Sequence, residues 1–103
     1  MQLLYLSTHV IRAVLADSVG DPVSGADVVL TIVNKVTGVE IAGDSWPADM
    51  TESSTAGTYE YLEPDDVVNA LTDKVRYSAQ VLAITGSGMR YAEELIVVRT
   101  DND

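Results

Sequence analysis

The sequence predicts an all-β fold, an antiparallel β-sandwich of seven to eight strands. Three observations carry that expectation. Short runs with apolar residues at every second position recur along the chain, as half-buried strands require. Clusters of Gly, Pro, Asp, Asn and Ser separate those runs at regular spacing. No segment keeps a helical periodicity over the length of an ordinary helix. The 103 residues suffice for one domain and are too few for two.

In chain order, Met1–Leu6 reads either as a short first strand or as an apolar arm. Val10–Ala16 is the first firm strand, with Ile11, Ala13 and Leu15 on one face and Arg12 on the other. Asp17–Asp27 is a turn cluster in which Gly20-Asp21-Pro22 and Ser24-Gly25 reverse the chain. Ala26–Val33 follows as a strand with Val28, Leu30 and Ile32 inward, and Asn34–Gly38 turns it into a partner strand at Val39–Ala42. Residues 43–54 read as irregular, punctuated by Trp46-Pro47, with Met50 on a short strand. Gly57–Leu62 is a strand carrying Tyr59 and Tyr61 on one face. Pro64-Asp65-Asp66 suits the first turn of a short helix, with a plain loop as the alternative. Val75–Thr85 and Met89–Thr100 form a long hairpin around Gly86-Ser87-Gly88. The organisation expected is an arm or first strand over 1–9, the sandwich over 10–100, and a frayed polar tail over 101–103.

Composition narrows the function classes. Sixteen acidic residues against six basic ones leave a formal charge of −10. With no basic patch to release counterions, neither nucleic acid nor an anionic membrane is an expected partner. The charge suits a protein that repels its neighbours or docks on a basic one. Cysteine is absent, so no disulfide framework and no thiolate zinc site can form. The start MQLLYLSTHV lacks the early positive charge and the length of a signal segment, which predicts synthesis in a cytoplasm without an export signal of its own.

No catalytic constellation emerges. His9 is the single histidine and has no nucleophile motif beside it. Glu93 and Glu94 are adjacent in a strand and point to opposite faces, unlike a facing glycosidase pair. Glu63, Asp65 and Asp66 could offer oxygen ligands to calcium, but without the spacing of a calcium loop. The chain is therefore read as a non-enzyme with no cofactor and no metal. The anomaly lies instead in apolar residues on both faces of several strands, where a free antiparallel sheet should alternate apolar with polar. Leu82 and Ile84 sit opposite Val81 and Ala83, Val29 and Val33 opposite Leu30 and Ile32, and Leu95–Val98 is apolar throughout. Leu82, Ile84, Ile96 and Val98, together with Leu3, Leu4, Tyr5 and Leu6 of the N-terminal segment, are the predicted partner-binding residues.

Leu71 followed six positions later by Tyr77 resembles the tyrosine corner of immunoglobulin-like and fibronectin type III sandwiches, whose hydroxyl meets backbone a few residues upstream. The run DSVGDPVSGADV from Asp17 to Val28 resembles the opening of many bacterial immunoglobulin-like domains, and Trp46, Gly57-Thr58-Tyr59 and Leu71…Tyr77 continue in the expected order. The same arrangement is similar to that of accessory virion proteins of tailed bacteriophages, over about residues 14–98. The resemblance implies an immunoglobulin-like fold in which Pro22 and Gly25 shape a turn while Trp46, Tyr59, Leu71 and Tyr77 fill the core. It implies a non-catalytic capsid decoration or cement subunit located in the virion, present in many copies, bound to the major capsid protein or other virion proteins. A neck, tail or fibre-adaptor subunit is the alternative, and a cell-surface adhesion or carbohydrate-binding module the second alternative.

Overall fold

Alternation of β-branched and aromatic residues with polar ones produces eight strands among the described residues, and these fall into two antiparallel sheets. The computed structural model of the protein describes residues 1–6, 10–72, 74–86, 88 and 90–98, the side chains at 5 and 6 excepted. The strands are β1 (Gln2–Leu6), β2 (Val10–Val14), β3 (Asp27–Asn34), β4 (Ala48–Asp49), β5 (Thr51–Glu52), β6 (Thr58–Leu62), β7 (Arg76–Ile84) and β8 (Arg90–Val98), with one short helix, α1 (Asp65–Ala70), between β6 and β7. One sheet has the order β1-β2-β6-β5 and the other β4-β3-β7-β8. In the lettering of immunoglobulin sandwiches this is A-B-E-D against C′-C-F-G. The protein is thus an antiparallel β-sandwich with immunoglobulin-type strand order.

The core lies between the sheets and is lined by the predicted inward positions. Ile11, Leu30, Ile32, Tyr59, Ala79, Val81 and Val97 are all buried there, with Val67 of α1 and Leu71 closing one end. Met50 corrects the expected short strand at that position. It is buried between β4 and β5, where the chain leaves one sheet and enters the other, and its own amide donates to Val28 O at 2.8 Å. The strand expected at Val39–Ala42 is also absent as such. Asn34 Oδ1 accepts the amides of Val36 and Thr37, and Gly38 adopts a positive φ of 74°, but the returning segment keeps only a bridge between Val33 and Glu40. Val39 and Ala42 are exposed, and Ile41 alone of that segment packs against the core.

The first six residues are settled by pairing. Each residue from Gln2 to Leu6 is in antiparallel register with β2, from Gln2 opposite Val14 to Leu6 opposite Val10. The detached-arm reading gives way to a first strand, because β2 offers a free ladder edge and Met1 and Leu3 pack against the core.

Tyrosines pin the loops to the sheets. Tyr77 is buried and Thr72 N–H donates to its Oη at 2.7 Å, the geometry of a tyrosine corner. Tyr77→Phe should cost on the order of 1 kcal/mol, since one hydrogen bond is lost near the surface; an unchanged denaturation midpoint would show that the hydroxyl contributes nothing. Tyr59 Oη accepts from Ala26 N–H at 3.0 Å and donates to Val23 O at 2.8 Å, tying the Asp17–Asp27 turn to the core. Tyr61 O–H donates to Asp44 Oδ2 at 2.6 Å. Burial first, then that bond to a carboxylate, raises the phenol well above its ordinary value.

Glu52 is the hub of the turn region. Its carboxylate accepts from Ser24 Oγ at 2.7 Å, Gly25 N at 3.0 Å and Gly57 N at 3.0 Å. These bonds, that from Gly57 foremost, lower its pKa below the usual 4.5. A carboxylate with a depressed folded-state pKa stabilises the fold above its unfolded pKa, and that contribution is lost as pH falls through the lower, folded value. Acidification below the ordinary carboxylate range should therefore lower the wild-type denaturation midpoint more steeply than that of Glu52→Gln. Parallel pH profiles would remove Glu52 from the acid response.

Candidate docking face

The register of β3, β7 and β8 sorts their outward residues into rows across the sheet. One row runs Asp49, Val29, Leu82, Ala92, and the next runs Thr31, Gln80, Glu94. Beyond these lie Val33, Ser78, Ile96 and then Arg76, Val98, while Asp27, Ile84, Arg90 form the row at the other end. Aliphatic rows thus alternate with polar ones on a face turned away from the core. Leu82, Ile84, Ile96 and Val98, predicted from sequence to meet a partner, all lie on this one face. Ile96 is 42% exposed, and Leu82, Ile84 and Val98 are half-buried.

The four predicted residues of the N-terminal segment are not brought to it. Leu3, register partner of Ala13, packs against the core. Leu4, opposite Arg12, lies on the outer face of the other sheet and is 37% exposed. Tyr5 and Leu6 belong to β1, but their side chains lie outside the described set.

A shallow groove of about 640 Å³ opens in the middle of the β3-β7-β8 face. Val29, Leu82 and Ala92 contribute its aliphatic lining, Thr31, Gln80 and Glu94 a polar side, and Pro47 and Glu93 flank it. Thr31, Gln80, Ala92 and Pro47 were not singled out in the sequence, because small or polar residues give no signal until register puts them beside Leu82. The Glu94 carboxylate is held in place: Ser78 Oγ–H donates to Oε2, and Lys35 Nζ donates to both oxygens at 3.0 and 2.9 Å. The serine bond first, and the lysine next, hold its pKa below the ordinary value, so it stays ionised at neutral pH. Ser78, though on the outward side of β7, is buried and is satisfied by that same carboxylate.

The residues predicted to be structural sit in the turns and the core. Gly25 has a φ of 73°, Pro22 bridges Ala16 at the end of the same turn, and Leu71 and Tyr59 are fully buried. Trp46 packs against the core with its indole tilted on Tyr61 at 6.0 Å between centroids, and Nε1–H donates to Ile41 O at 2.8 Å. His9 lies outside the described residues. Asp65 and Asp66 occupy the first turn of α1, and among the described residues no group of three or more His, Asp or Glu side chains is placed to hold a metal ion. Comparison with known proteins finds no matching family model, no similar curated protein and no matching solved structure.

Proposed function

We propose that the chain is a non-catalytic structural subunit that docks on other proteins, and specifically a capsid decoration or cement subunit of a virion. The observation that carries the docking role is the gathering of Val29, Leu82, Ala92 and Ile96 on one outward sheet face. An aliphatic surface of that kind on an acidic protein gains by being covered. The virion assignment rests on the resemblance of the DSVGDPVSGADV opening, Trp46, Gly57-Thr58-Tyr59 and Leu71…Tyr77 to accessory virion proteins of tailed bacteriophages. The adhesion-module alternative is disfavoured, since its natural sugar platform, the lone tryptophan, is turned onto Tyr61 and bonded to Ile41 O.

Mass spectrometry of purified virions encoding this chain, with copy number scaled to the major capsid protein, tests the assignment. Copies in the hundreds are expected of a decoration subunit; about a dozen or fewer would place it in a neck or tail ring instead. Absence from the particle would overturn the virion role.

A further inference from the structure

We propose, on the basis of the docking reading above, that the groove on the β3-β7-β8 face takes a basic protein segment with an aliphatic anchor. The anchor covers the Val29–Leu82–Ala92 row, and a Lys or Arg side chain beside it meets Asp49 at the β4 end of that row. Three of the four edge strands of the sandwich are poor alternatives. Strands β4 and β5 are two residues long. The long edge strand β8 carries Glu93 at a core-side register position opposite Val81, a charge that discourages another strand from adding there. The opposite sheet is a weaker candidate face, because Arg12 and Glu60, in register, fill its centre with an ion pair at 2.6 Å.

Charge selects the kind of partner. No Lys or Arg lines the groove among the described residues; Glu94 lines it already paired with Lys35, and Glu93, on the core side of β8, has the Met1 ammonium 3.9 Å from its carboxylate. Asp49 closes the aliphatic row at its β4 end, exposed and without an ion pair among the described residues. A second copy would bring a formal charge of −10 against −10. A cationic segment instead meets Asp49 and the net negative charge of the chain while its anchor fills the groove.

The test is selection of a displayed library of random peptides against the full immobilised chain. Enriched peptides should combine Lys or Arg with aliphatic residues and should release as salt rises. They should bind Leu82→Asp about thirtyfold more weakly, as for an anchor contact at the centre of an interface. Asp49→Lys should weaken them by about three- to tenfold, as for a rim charge. Melting curves check that the variants fold; if Leu82→Asp does not, Ala92→Arg fills the groove from an exposed position and should also abolish binding. Acidic or uncharged winners, winners indifferent to these substitutions, or no winners at all would overturn the proposal. So would concentration-dependent dimers of wild type that Ala92→Arg abolishes, since the occupant would then be a second copy. Loss of the virion assignment would leave the peptide result standing, and a failed selection would leave the copy number in virions untouched.

Discussion

Trp46→Ala should lower stability by about 3 kcal/mol, the low end for truncating a tryptophan because the indole is only half-buried. Three losses combine. The ring no longer lies on Tyr61, whose centroid is 6.0 Å away. The Nε1–H bond to Ile41 O disappears, and with it a tie holding the 41–46 loop against the core. The space left at the sandwich edge is apolar, so water filling it makes few bonds. A domain of this size has on the order of 5–15 kcal/mol in total, and the change should be plain in a urea midpoint at unchanged slope. A shift of only a few tenths would mean that the indole behaves as a surface group, and would reopen the sugar-platform reading.

Gly57→Ala should cost about 3 kcal/mol, from a left-handed backbone that a side chain resists and from overpacking. Gly57 has a φ of 77°, and a Cβ there would stand 2.8 Å from both Leu15 O and Pro22 Cβ. Neither neighbour can retreat easily. Leu15 N–H donates to Gly57 O at 2.7 Å, and Leu15 O accepts from Val23 N–H at 2.9 Å, so moving the carbonyl breaks ladder bonds on both sides. Gly57 N–H also donates to the Glu52 carboxylate. Gly38→Ala is the control, for Gly38 has a similar φ of 74° with open space where its Cβ would go. It should cost about 1–2 kcal/mol, the conformational part alone. Equal costs for the two substitutions would show that crowding at Gly57 is absorbed by relaxation.

Much of the fold was written in local pattern. Period-two alternation at Ile11-Ala13-Leu15, Val28-Leu30-Ile32 and Tyr77-Ala79-Val81-Ala83 named the core-facing side chains, because a strand turns successive residues to opposite faces whatever its partner. The six-residue step from Leu71 to Tyr77 resembles a tyrosine corner, and the bond to backbone a few residues upstream that this implies is the one from Thr72 N–H. The aliphatic residues Leu82, Ile84, Ile96 and Val98 were visible for the same reason: they broke the alternation.

Pairing between distant segments was not visible, and it decided the rest. An apolar run such as Leu3–Leu6 does not name the edge it joins, and only β2 in space made it a first strand and not an attachment arm. The segment 39–42 had the composition of a strand but no neighbour to hold its full length. Glu52 reads as one more surface acid until folding brings Ser24, Gly25 and Gly57 to it from two other segments. The groove depends most on tertiary structure. Val29, Leu82 and Ala92 are scattered along the chain, and only the register of three strands places them in one row, because hydrogen-bonded neighbours in a sheet share a face however far apart they lie in sequence.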